Sequence, residues 1–188
     1  MDELGTPGEA SLRRHERPVE VGSNLADLGP AADARDAAAI LDLLAAARRH
    51  PGAVGAAFPR RMVDDVWQTK RLFALPGGYA YGHRIYRRAL PWSPEAIERT
   101  RVEVRVGRGL TLEHVIPVGL TLTAVKAAAT SARIVEVLRR DLILAVITRE
   151  QSRHLDELGL GRTHPNTLNP WAPRYAAAGI TVVPFPDS

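Results

Sequence analysis

An acid and a histidine stand side by side in the string Leu112-Glu113-His114-Val115-Ile116-Pro117. A carboxylate together with an imidazole is a donor set suited to Mg²⁺, Mn²⁺ or Zn²⁺. Histidine also supplies a base whose ordinary pKa is close to neutral. The pair is therefore a candidate centre for metal-assisted hydrolysis, in which a base activates water and a cation neutralises the charge that develops on the leaving oxygen.

A second apolar run, Leu142 to Ile147, leads directly into the polar string Thr148-Arg149-Glu150-Gln151. Thr148 followed three residues later by Gln151 is the capping-box pattern of a helix start, and Gly159 suits the helix end. The predicted helix, Thr148 to Leu158, carries His154 as its only imidazole. Glu150 lies one turn earlier on the same face, where it could orient His154 or act as a further ligand.

The elements around these residues form the series strand, long connection, strand, helix. Leu110 and Leu112 alternate with polar residues, which is typical of a half-buried strand. The run Leu142–Ile147 predicts a central strand, with Leu155 and Leu158 of the closing helix packed towards the core. Between the two strands, Thr123 to Asp141 reads as one helix capped by Thr123.

Residues 110–155 resemble the ββα-metal unit of HNH-type endonucleases, including the one inside CRISPR effector nucleases. In that family the first strand ends in an acid–histidine or histidine–histidine pair, followed by one or two hydrophobic residues and a proline, as in Glu113-His114-Val115-Ile116-Pro117. The resemblance implies that Glu113 holds a divalent metal and that His114 is the general base. His154 would complete the metal site or position a phosphate.

The family resemblance implies a metal-dependent endonuclease that hydrolyses phosphodiesters, on DNA rather than RNA, in restriction, phage defence or a toxin. The implied cofactor is Mg²⁺ or Mn²⁺, with Zn²⁺ as a further candidate. Two departures keep an alternative open. The long connection has no asparagine, and Arg153 stands near the place of the family's helix asparagine. The alternative is a non-enzymatic module on a degenerate HNH-like scaffold, which binds nucleic acid or another protein.

A second group of candidate residues lies between Tyr79 and Arg88, where aromatic residues and arginines are interleaved. Stacking on bases and pairing with phosphates require such a mixture. The alternative is an edge strand with packed tyrosines and solvated arginines. The candidate nucleic-acid-binding residues are Tyr81, Arg84, Arg87 and Arg88 in this segment and Arg153 on the closing helix.

Composition sets the limits of these hypotheses. The 188 residues are enough for one well-buried domain, and a formal charge of +4 permits a polyanionic partner without requiring one. The chain has no cysteine, which excludes disulfides, thiolate metal sites and a cysteine nucleophile. No apolar run approaches the roughly 18 residues of a membrane span, and the acidic N-terminus does not resemble a signal peptide. We therefore expect a cytoplasmic protein with no membrane partner; the oligomeric state stays open.

Residues 1–33 are rich in glycine and proline and predict a disordered arm. Residues 34–188 then form a single domain with the HNH-like motif at 110–158. Within it, apolar stripes predict helices at Asp36–His50 and at about Arg60–Leu72. The second places Trp67, in the core, and Phe73 on one side, with Gln68 and Arg71 facing away. The predicted fold is α+β, with a small sheet from the Leu110, Leu142 and Ile180 segments and helices around it.

Overall fold

The computed structural model describes residues 23–52, 55–81, 84–102, 109–161 and 172–186. Over these ranges the chain is α+β, as the sequence predicts, with helices around a small mixed sheet. None of the helices in the described ranges has both the length and the apolar character needed to cross a membrane. Residues 1–22, which make up most of the predicted arm, lie outside the described ranges.

The first helix, α1 (Pro30–Arg49), begins inside the segment that the sequence assigns to the arm. Gly29 precedes it with a positive φ of 86°, and Pro30 supplies a backbone angle suited to a first helical position. The residues just before it are also attached to the core. The side-chain amide of Asn24 donates to the Leu144 carbonyl at 2.7 Å and accepts from the Leu144 amide at 2.9 Å.

The second predicted helix is present and is divided into three parts: α2 (Phe58–Val63), a π-helical turn (Asp64–Gln68) and α3 (Thr69–Ala74). Trp67 is in the core as expected. Gln68 and Arg71 were predicted to face away, and that prediction is wrong, because both are buried. The wide π turn changes which side chains face inward, and π turns are frequent at functional sites.

Arg71 is buried because α1 presents two carboxylates to it, Asp33 and Asp36, at 2.5 and 2.8 Å. Its guanidinium also lies 3.7 Å from the centre of the Trp67 ring. Burial opposes ionisation of Asp36, but hydrogen bonds from Lys70 and Arg71, with their charges, outweigh it and hold the pKa below its usual value. An ion-pair network therefore fastens α3 to α1.

The connection between the two predicted strands is two helices, α5 (Val118–Ala127) and α6 (Ser131–Asp141), so the prediction of one helix capped by Thr123 is wrong. The chain leaves the helical conformation at Ala128, and Thr130 caps α6 by accepting from the Arg133 amide at 3.2 Å. Both helices pack with α1 and α2 around a core that contains Ile40, Leu44, Met62, Trp67, Val125, Ile134 and Leu138.

The strands are short and form a two-stranded hairpin and a separate four-stranded sheet. A hairpin of β1 (Gly78–Tyr81) and β2 (Arg84–Arg87) precedes β3 (Pro91–Trp92) and helix α4 (Pro94–Val102). The remaining elements are β4 (Leu110–His114), β5 (Leu144–Thr148), α7 (Arg149–Glu157), α8 (Ala172–Ala177) and β6 (Val183–Pro184). The four-stranded order is β4-β5-β3-β6, in which β4 and β6 pair antiparallel to their neighbours and β3 pairs parallel to β5.

Strand β5 is the centre of the sheet, and all five of its residues are buried. Leu144 and Val146 face one apolar cluster, which includes Trp92 and Leu110, while Ala145 and Ile147 face another. A strand with both faces covered reads as a continuous apolar run rather than an alternating one, which confirms the central strand predicted from the sequence. Helix α7 follows β5 directly and packs on both β4 and β5.

Candidate functional site

Glu113 lies near the end of β4, opposite Ala145 of β5. One of its carboxylate oxygens, Oε1, accepts a hydrogen bond from Nη2 of Arg174 at 2.8 Å. The other, Oε2, accepts from the hydroxyl of Ser152 on α7 at 3.3 Å. Both oxygens of the candidate metal ligand therefore have partners within the protein.

Arg174 is on α8 and its side chain is only 2% exposed. Besides Glu113, it donates to the carbonyl of His114 at 2.5 Å and to that of Leu160 at 2.8 Å. Arg174, which is part of α8, thus connects this helix to the end of β4 and to the segment that follows α7. Its neighbour Tyr175 is also buried, which raises the pKa of the phenol well above its usual value, and the negative charge of Glu113 adds to this effect.

His114 occupies the last position of β4 and is 8% exposed. Its Nε2 lies 2.8 Å from Oε1 of Gln68 in the π-helical turn, so Nε2 carries the proton in that bond. Burial lowers the pKa of His114 to about 4, and the positive charges of Arg60 and Arg174 contribute to the shift. The imidazole is therefore neutral at pH 7, and its pKa lies far below the near-neutral value that suits a general base.

The structure places His154 and Glu150 on the solvent side of α7. His154 is half exposed, with Nδ1 3.7 Å from a carboxylate oxygen of Glu157. Glu150 is also half exposed and lies 3.3 Å from Arg99. Hydrogen bonding to its own backbone amide, at the first turn of α7, lowers the pKa of Glu150, and the charges of Arg99 and Arg153 act in the same direction.

Helix geometry explains why Ser152 reaches Glu113 while His154 does not. Leu155 is fully buried under α7, as predicted, and a residue three positions earlier shares its face. Ser152 is that residue, whereas His154 is rotated about 100° from Leu155 around the helix axis. The prediction that Leu158 also faces the core is wrong, because that side chain is 47% exposed.

The residues at the end of β4 were predicted to hold a divalent cation. Glu113 is the only predicted ligand at this position whose side chain is both acidic and partly accessible, and it already pairs with the Arg174 cation. A divalent ion bound to Glu113 would lie within a few ångströms of that guanidinium and be repelled by it. In this arrangement the residues do not fit the metal. Within the described ranges, no three His, Asp or Glu side chains are grouped as a metal site.

The predicted nucleic-acid-binding residues lie in two places. Tyr81 and Arg84 pair at the end of the hairpin, but their side chains lie outside the described part of the chain. Arg153 is 70% exposed on α7, 3.9 Å from Glu150. Arg87 and Arg88 each lie next to an aromatic ring.

Arg87 donates from Nη2 to the carbonyl of Phe73 at 3.0 Å, and its guanidinium carbon lies 5.6 Å from the centre of the Phe73 ring. Arg88 is exposed, with its guanidinium carbon 5.1 Å from the centre of the Phe185 ring. We call this set, Phe73, Arg87, Arg88 and Phe185, the arginine–phenylalanine surface. Tyr86, between the predicted arginines, is instead fully buried and donates to the Leu110 carbonyl at 3.1 Å.

Sequence reasoning missed Ser152, Gln68 and Arg174. The burial of Gln68 could not be predicted, because the spacing of the apolar residues does not reveal the π-helical turn that directs its side chain inward. Arg174 has one signal, since it is the only charged residue between Trp171 and Ala178. A lone arginine in an apolar helix requires a partner when it is buried.

The chain matches no protein-family model, no curated protein and no solved structure in the comparisons made with each.

Proposed function

We propose that this protein binds nucleic acid through the arginine–phenylalanine surface, and that the Glu113–His114 pair stabilises the fold instead of holding a catalytic metal. The observation that carries the proposal is the placement of Arg87 and Arg88, two cations adjacent in the sequence, each of which lies next to a phenylalanine ring. Arginine binds phosphate through its planar fork of donors, and aromatic rings stack on bases.

The structural role of the strand-end pair rests on its partners. Glu113 forms an ion pair with buried Arg174, and His114 is bonded to Gln68 with its pKa lowered to about 4. A catalytic carboxylate and base require access to substrate and, for the base, a pKa near the working pH. These contacts instead connect β4 to the π-helical turn and to α8.

The overall charge is compatible with this partner. The formal charge is +4 and the sequence pI is about 9.9, and nearly all of the positive charge is arginine, because Lys70 and Lys126 are the only lysines. A basic protein attracts a polyanion over distances set by the ionic strength. The overall charge is compatible with any polyanionic partner. The proposal of nucleic acid therefore depends on the placement of Arg87 and Arg88 next to aromatic rings.

The test is binding of a fluorescently labelled oligonucleotide, followed by anisotropy at several salt concentrations between about 50 and 200 mM. Arg87→Ala combined with Arg88→Ala should weaken binding and reduce the slope of log K against log salt by about one unit for each phosphate that the protein no longer neutralises. The matched control is Arg133→Ala, which removes a half-exposed arginine from α6. If the double variant and the control bind as tightly as the unchanged protein, the arginine–phenylalanine surface is not the binding site.

A second candidate is the metal-dependent, HNH-like endonuclease that the resemblance implies. One observation favours it: the Ser152 hydroxyl of α7 lies 3.3 Å from Glu113, so the closing helix and the end of the first strand do meet. The test is incubation with plasmid DNA and single-stranded RNA in Mg²⁺, Mn²⁺, Zn²⁺ or EDTA. EDTA-sensitive cleavage that falls about 100-fold or more in folded His114→Ala protein would support the nuclease. Absence of such cleavage would remove it.

A further inference from the structure

We infer that the arginine–phenylalanine surface takes single-stranded nucleic acid, with an unpaired base stacked on the ring of Phe73. The inference deepens the proposed function and rests on it.

The aromatic ring of Phe73 is exposed at the surface. This residue is the penultimate residue of α3, and 56% of it is exposed, which is the highest exposure among the large hydrophobic residues whose side chains the structure describes. The apolar spacing of the sequence predicts it on the buried side of the helix, next to Trp67. A flat apolar ring held at the surface offers a face to another flat group, and every nucleobase has such a face.

A cation, Arg87, is held next to Phe73. The Arg87 guanidinium donates to the Phe73 carbonyl, so it is held at the C-terminal end of α3, 5.6 Å from the ring centre. Successive phosphates and bases alternate along a single strand, and a binding surface for it needs cations next to stacking rings. Arg87 and Phe73 are such a neighbouring pair, in which the arginine would pair with a phosphate of the backbone and the ring would stack on a base.

Phe185 differs from Phe73 in its packing. The Phe185 ring packs edge-on against Trp92, with the ring centres 4.9 Å apart, so it belongs to the packing of the sheet. It supports Arg88, whose guanidinium lies 5.1 Å away. Of the two rings, Phe73 is therefore the one whose exposure allows a base to stack on it.

The form of the nucleic acid determines whether the faces of its bases are accessible. In a duplex the base faces are covered by their neighbours, so a protein ring reaches them only when the stack is opened. Arg87 and Arg88 can contact the phosphates of either form, but Phe73 gains a partner only from an unpaired base. The surface should therefore bind a single strand more tightly than a duplex of the same sequence.

The experiment compares three labelled ligands of about 12 nucleotides, a length in the range that single-strand-binding folds occupy. They are a single strand, the same sequence as a duplex, and an abasic strand with the same phosphates. Unchanged protein should bind the single strand about tenfold more tightly than the other two. Phe73→Ala should reduce single-strand affinity to the abasic level with an unchanged salt slope, whereas Phe73→Trp should retain it. Because Phe73 is exposed, these variants should fold, and circular dichroism checks this.

The outcomes separate the two proposals. Equal binding of all three ligands that still depends on Arg87 and Arg88 would overturn the single-strand inference and leave nucleic-acid binding in place. No binding of any ligand at low salt would overturn both. An acidic peptide that displaces the single strand at equal charge concentration would identify the surface as a general polyanion or protein-binding surface, and would also overturn the inference.

Discussion

The guanidinium of Arg174 and the carboxylate of Glu113 lie 2.8 Å apart, joining the last helix to the end of the first predicted motif strand. The same guanidinium donates to the His114 carbonyl at 2.5 Å. A cation is thus present at the acid–histidine pair, and it is covalently part of the chain. A carboxylate with a buried guanidinium partner gains little from a second cation. We therefore interpret the Glu113–His114 pair as part of the packing of the fold and not as a metal site.

Removing Arg174 should destabilise the fold strongly. Arg174→Met keeps much of the side-chain volume but leaves Glu113 without its cation, and breaking a buried pair in this way costs about 3 to 5 kcal/mol. Glu113 is one-fifth exposed, so water will soften the loss, and we expect the lower end of that range. Urea unfolding measures the change.

The matched control for this prediction is Glu113→Gln, which keeps the shape and an acceptor oxygen and should cost less than Arg174→Met. The double variant then gives the coupling between the two residues. Equal stability of Arg174→Met and the unchanged protein would show that α8 is not held to β4 by this contact.

The buried histidine should make stability depend on pH. Its pKa is lowered from 6.5 to about 4, so between these values the unfolded chain binds a proton that the folded chain does not. The contribution of His114 to the free energy of unfolding should therefore be complete above about pH 6.5 and should decrease as the pH falls towards 4. The shift corresponds to a loss of about 3 kcal/mol at most.

The measurement is urea unfolding from about pH 7 down to about pH 4.5, with His114→Gln as the control. Glutamine can still bond to Gln68 but does not titrate, so the difference between the two proteins isolates the histidine. If the two curves run parallel over this range, His114 is not held neutral by the fold.

The helix cap at Thr148 was predicted from the sequence, and its contribution to stability can be measured. Its hydroxyl accepts from the Gln151 amide at 3.1 Å, and the Gln151 side chain accepts from the Thr148 amide at 3.0 Å, which confirms the predicted capping box. Thr148→Ala should cost about 1 kcal/mol, while Thr148→Ser should be nearly neutral because it retains the hydroxyl. Equal melting temperatures of the Thr148→Ala and Thr148→Ser variants would indicate that the cap contributes nothing to stability.

The contrast between Thr148 and Arg71 shows what the sequence could predict. The cap at Thr148 depends on residues within one turn of each other, so a local pattern was sufficient. Arg71 was predicted to face solvent because it is charged, but its partners Asp33 and Asp36 lie on another helix. No local pattern reports a pairing between helices, and the same applies to Arg174 with Glu113.

The error at α5 and α6 has a similar origin. An alanine-rich stretch has high helix propensity throughout, so nothing in residues 127–129 predicts an interruption. The chain nevertheless turns there, and Thr130 begins a new helix whose apolar face, with Ile134 and Leu138, packs on the core. Tertiary packing decided a boundary that propensity alone placed elsewhere.

Addition of divalent metal should not stabilise the folded protein through Glu113, because Arg174 already pairs with that carboxylate and would repel a second cation. A ligand that binds only the folded state at about 100 times its dissociation constant adds about 2.7 kcal/mol, which a thermal melt detects easily. We therefore expect the melting temperature to be the same in EDTA and in Mg²⁺ or Mn²⁺. Zn²⁺ requires a variant comparison, since exposed histidines such as His154 can bind it without Glu113. A metal-dependent rise that disappears in Glu113→Gln would show that the ion displaces Arg174, and would restore the metal site that the HNH resemblance implies.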